Sequence, residues 1–166
     1  MDNAITQLLA LFQAACGARF KKYYYGKILK PNALFSPFVS VFPVSSSYNG
    51  AGSNGIGGTL SQTFRENIIK IQVVLNVKDY LTKQDKSTIE SIKELVQYIE
   101  KITAGNTMPD SNTIIGVILN NPTIGGSVDN ISSISPVQYD EDLIDESYFV
   151  YATITIATKE ILPKCL

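Results

Sequence analysis

Five carboxylates within seven residues, Asp140-Glu141-Asp142 and Asp145-Glu146, are the densest chemistry in this chain. Oxygen ligands at that density could hold a divalent cation. The spacing lacks both the alternation and the glycine of a calcium-binding loop, so a solvated charge patch is the simpler reading. The chain has no histidine. The commonest general base and the commonest metal ligand are therefore missing, and Ser–His and Cys–His nucleophile pairs are impossible. Ser53-Asn54-Gly55-Ile56-Gly57-Gly58 matches a phosphate-binding loop in glycine content alone. No Gly-Lys-Ser/Thr follows, and no helix start that would cradle a phosphate. No catalytic set and no cofactor site is expected.

Opposite the acids stand Arg19, Lys21, Lys22, Lys27 and Lys30, five cations in twelve residues with no acid between them. One basic and one acidic patch on a chain of net charge −1 suit head-to-tail contact between identical subunits. Tyr23-Tyr24-Tyr25 beside these lysines could stack nucleic-acid bases. In a strand, however, Tyr23 and Tyr25 share one face and Tyr24 takes the other, so sheet packing explains the triplet more simply. The near-neutral charge also argues against a nucleic-acid partner.

Between Lys30 and Arg65 no residue is charged. This run opens with apolar residues and prolines and turns into a Gly/Ser-rich arm over roughly 45–63. Long loops in compact domains are commonly functional or disordered. An arm that builds no core and carries no charge reads as one ordered against protein partners. Arg65 and Glu66 close it and could anchor its base to the sheet or to a neighbour.

At 166 residues with 45% hydrophobic content, one domain is expected, with a core that needs no metal or disulfide. Cys16 and Cys165 have no partner spacing and read as reduced structural thiols. The first residues do not form a signal peptide, and no apolar stretch is long enough for a membrane span. Synthesis and use in a cytoplasm follow, with no membrane partner.

Periodicity predicts a helix over 3–16, where Ile5, Leu8, Leu9, Phe12 and Cys16 make one stripe. Asp2 or Asn3 would cap it and Gly17 would end it. Strands are predicted over 20–29, 38–44 and 66–77. A second helix spans 88–102 behind the capping box Ser87-Thr88-Ile89-Glu90. Further strands are predicted over 113–120 and 147–159, separated by a low-charge loop over 121–138. The order α-β-β-β-α-β-β predicts an α+β fold, with a mainly antiparallel sheet of about five strands and two amphipathic helices on one face.

That organisation resembles the tail terminator, or tail completion, proteins of long-tailed bacteriophages. The 3–16 helix, Glu66–Val74, the Ser87–Ile102 helix and Tyr148–Ile156 carry the resemblance. It implies a small α+β subunit in a ring, commonly a hexamer, capping the tail tube. The implied partners are further copies of itself, the tail tube protein and a neck or head-completion protein, with passive DNA contact in the channel. The implied location is the virion, assembled in a host cytoplasm. A different neck or baseplate adaptor shares the same logic. A small divalent-metal enzyme and a single-stranded nucleic-acid binder are the remaining alternatives. Candidate interface residues are Arg19, Lys21, Lys22, Lys27, Tyr48, Asn49, Ile56, Arg65, Asp140, Glu141 and Asp142.

Overall fold

A computed structural model describes residues 1–51, 62–77, 88–145 and 147–162. The longest hydrophobic alternation, Ile69-Lys70-Ile71-Gln72-Val73, becomes the middle of strand β3 (Gln62–Asn76). It is flanked on one side by β2 (Phe38–Ala51) and on the other by β6 (Ser147–Ile161), both antiparallel to it. β1 (Lys22–Tyr25) adds to β2 in parallel over Phe38–Val41 only. β4 (Asn130–Ile134) and β5 (Gln138–Ile144) lie end to end along the outer side of β6. The result is a mixed sheet of six strands in an α+β fold.

Three α-helices occur among the described residues: α1 (Asp2–Cys16), α2 (Thr88–Glu100) and α3 (Ile114–Asn120). All contribute to one core against one face of the sheet. Two cross-strand rows carry that face, Val39–Val73–Ala152–Tyr139 and Val41–Ile71–Ile154. The stripe predicted on α1 is the buried one, with Ile5, Leu8 and Phe12 fully inaccessible. Burying each such side chain contributes roughly 1.5–3 kcal/mol. Met1 is the N-cap of α1, without a side-chain capping bond, so neither Asp2 nor Asn3 caps it. Gly17 ends the helix at φ 46, a left-handed conformation that suits glycine.

Four sequence expectations are corrected. Residues 113–120 form a helix, not a strand. The run Ile114-Ile115-Gly116-Val117-Ile118 is β-prone, but Thr113 caps it. Its hydroxyl accepts from the Gly116 amide at 3.1 Å and donates to the Asp110 carbonyl at 2.7 Å. Residues 121–138 are not a loop throughout, because β4 lies within them and β5 begins at Gln138. The arm is not irregular at its base. Ser45–Ala51 and Gln62–Thr63 are strand, paired down to Ala51 opposite Gln62. The predicted 20–29 strand is confined to four residues.

The capping turn also explains a glycine. A Cβ on Gly116 would stand 2.0 Å from the Asp110 carbonyl oxygen, backbone that a flexible side chain cannot relieve. Gly116→Ala is expected to lower stability by about 1–3 kcal/mol, read as a lower denaturant midpoint at unchanged slope. A wild-type midpoint would disprove the close approach.

Candidate interaction surfaces

The sheet face away from the helices is covered in part by the 26–37 connection between β1 and β2. Parallel strands need such a crossover, and here it runs across the open face. Beneath it Phe38, Val74 and Phe149 form a second, small apolar cluster, joined by Tyr24, Ile28, Ile144 and Tyr151. Tyr24 meets the Phe38 ring edge-on at 5.4 Å. Tyr23 turns to the helix side, where its hydroxyl donates to the Gly17 carbonyl at 3.1 Å. Tyr25 donates to Asp2 Oδ1 at 2.6 Å. The two faces expected for the tyrosine triplet are thus occupied by packing and hydrogen bonds.

A cleft of about 500 Å³ opens between this connection and β5. Lys27, Leu29 and Pro31 form one wall, and Asp140, Glu141 and Asp142 the other. Gln72, Tyr151 and Thr153 make the floor. β5 positions the acids by register, with Asp140 opposite Tyr151 and Asp142 opposite Phe149. Burial first, then the Asp142 and Asp140 carboxylates, push the Tyr151 phenol from its ordinary value up to about 12. Among the described residues no three His, Cys, Asp or Glu side chains gather closely enough to hold a metal ion.

The basic set is largely engaged within the chain. Lys30 Nζ stands 4.0 Å from Asp145 Oδ2, both side chains well exposed. Such a pair contributes little. Arg19 donates to the Asn112 carbonyl at 3.0 Å and Lys21 to the Leu34 carbonyl at 3.5 Å. Lys22 lies 5.5 Å from the Phe35 ring centre. Of the cations and acids expected to meet between subunits, Lys30 and Asp145 pair inside one chain, and Lys27 faces the acids of β5 across the cleft.

The second surface is the arm. Beyond Val41, β2 has no strand on its outer side among the described residues. Tyr48 and Asn49 lie on this free edge, opposite Arg65 and Phe64 of β3, and both are exposed. Ile56 lies outside the described residues. Arg65 does anchor the base of the arm to the sheet. Its guanidinium binds Glu160 Oε2 on β6 through Nε at 3.0 Å and through a terminal nitrogen at 2.5 Å. Hydrogen bonding to Glu160, and to Tyr48 after it, holds Arg65 protonated beyond its ordinary range. On the other face Lys159 Nζ sits 3.9 Å over the Phe64 ring. Glu160, Lys159, Tyr151 and Gln72 were not singled out from sequence. Their roles depend on register between strands far apart in the chain, which single-sequence periodicity does not contain.

Comparison with protein-family models and with curated proteins finds no match for this chain. Among the described residues no helix is long and apolar enough to cross a membrane.

The Tyr151 shift gives a pH test. A raised phenol contributes stability below its unfolded value near 10, and that contribution is lost as pH climbs towards about 12. Asp140→Asn with Asp142→Asn should lower the Tyr151 pKa yet leave it above 10, because burial is the larger cause. Tyrosinate absorbance, taken as the difference from the same chain carrying Tyr151→Phe, measures it. An unchanged titration would show that the carboxylates do not reach the phenol.

Proposed function

We propose that this chain is a structural virion subunit of a long-tailed bacteriophage, a tail terminator. It would form a ring, most simply a hexamer, that caps the tail tube and joins it to the neck. Its role is assembly and not catalysis. The observation that carries the reading is the arm: the long, charge-free outer part of the β2–β3 hairpin, anchored at its root by Arg65 and Glu160, with one strand edge free among the described residues. Natural sheets blunt exposed edges with charge, bulges or short strands. A long uncharged edge suits a surface that another protein covers after assembly.

The mechanism is steric. A ring seated on the last tube layer occupies the surface on which the next layer would add. The arm reaches the neighbouring subunit or the adjoining ring, and the neck protein binds the opposite side. Contact with DNA in the channel is passive. A neck or baseplate adaptor elsewhere in the virion would use the same arm with different partners.

Light scattering of the purified chain, alone and with isolated tail tubes, tests this. A hexamer, or a smaller species that forms a ring on tubes, is expected. A species indifferent to tubes would overturn the terminator reading. Deleting residues 50–58 should abolish ring formation or tube binding while leaving the helix-covered core folded by circular dichroism. Survival of both activities would remove the arm from the mechanism.

A further inference from the structure

The free edge of β2 has a definite shape. β1 covers Phe38–Val41, and the register slips between Pro43 and Ser45. A bulge bends and twists a strand, which spoils its edge locally. The regular free edge is therefore Ser45–Ala51, seven residues in unbroken register with β3, about 23 Å long. None of the seven is charged. Tyr48 stands at its midpoint with 53% of its surface exposed.

The opposite margin of the sheet does not fit this edge. β4 and β5 lie end to end against β6. A copy translated sideways to lay its β4 along β2 would bring its β5 to the level of β1, where that space is filled. β5 is also acidic and finds no cation on Ser45–Ala51. The edge that meets neither obstacle is the same edge of a second copy. Two β2 strands related by a two-fold axis run antiparallel, place no charge against charge, and keep each β1 clear of the other's paired stretch.

We propose that Ser45–Ala51 pairs antiparallel with Ser45–Ala51 of a second copy of this chain, with the two-fold axis at Tyr48. Ser45 then faces Ala51 of the other copy, Ser47 faces Asn49, and the two Tyr48 side chains face each other. Cross-strand aromatic pairs stabilise such ladders. A two-fold contact does not close a ring, so a ring would be closed by other surfaces, the rest of the arm among them, and the Ser45–Ala51 pairing stands without the phage assignment.

Ser47→Lys combined with Asn49→Lys places lysine opposite lysine twice across the axis. Ser47→Lys combined with Asn49→Glu places lysine opposite glutamate at the same positions. By light scattering over a concentration series, the Lys/Lys chain should show half the wild-type mass. The simplest case is a wild type of about twice 18.2 kDa falling to a monomer. The Lys/Glu chain should keep the wild-type mass, which rules out misfolding of the arm as the cause. In a Cys165→Ser background, Tyr48→Cys should form a disulfide between copies faster than Ser45→Cys or Ala51→Cys. A monomeric wild type at every concentration overturns the proposal. So does a Lys/Lys chain of wild-type mass; if that mass is ring-sized, the β2 contact fails while the ring reading stands.

Discussion

The fold depends on one strand being paired along both sides. β3 makes an unbroken antiparallel ladder with β6 from Phe64 to Asn76, while β2 follows its other side from Gln62 to Val74. These ladders satisfy its backbone groups, and its odd-numbered side chains from Ile69 to Leu75 are fully buried beneath the helices. Strands separated by most of the chain's length, β2 and β6, are brought to a common register by β3 alone. The cleft and the arm both inherit their geometry from it. Gln72 supplies part of the cleft floor, and Arg65 ties the arm to Glu160.

Among the described residues the α-helices cover one face only, which leaves the second face to find another solution. The chain uses the β1–β2 crossover for this. Phe38, Val74 and Phe149 are buried against Tyr24, Ile28, Ile144 and Tyr151, none of which is helical. Polar residues remain in the next row, where Ser40 faces Gln72 and Gln72 faces Thr153. The Ser40 hydroxyl is buried with no hydrogen-bond partner among the described residues. A buried polar group left unpaired opposes folding. The cleft lies on this face.

The long periodic elements were legible in sequence because their burial is one-sided. The stripe of α1 and the alternation of β3 and β6 each announce a buried face, and the Tyr23/Tyr24 division follows from the same rule. Residues 113–120 were not legible, because the capping turn from Asp110 to Gly116 outweighed the β-propensity of an isoleucine-rich run. β4 and β5 carry few apolar residues and owe their strand geometry to β6, a partner distant in sequence. The arm was misread for the same reason. Ser45-Ser46-Ser47-Tyr48-Asn49 has loop composition, but β3 offers it a continuous ladder. Ser46 adds a hydrogen bond from its hydroxyl to Asn67 Oδ1 at 2.8 Å.

Charge is distributed in a way that separates stability from association. Near the cleft, Lys27 and Lys30 approach the acids of β5 and the turn after it, while Arg19 and Lys21 end on backbone carbonyls. Lys30, Arg19 and Lys21 thus have partners inside the chain, so an approaching protein would have to compete with them. On Ser45–Ala51 there is no side-chain charge to compete for; its hydroxyl and amide side chains are neutral, and a pairing strand restores its backbone hydrogen bonds one for one. Electrostatic complementarity chiefly steers encounter and selects partners, whereas an uncharged edge selects by ladder geometry. An assembly contact through this arm should therefore be less sensitive to salt than one through the basic and acidic patches. That difference follows from where the charged residues are, and from the continuous gap between Lys30 and Arg65 where there are none.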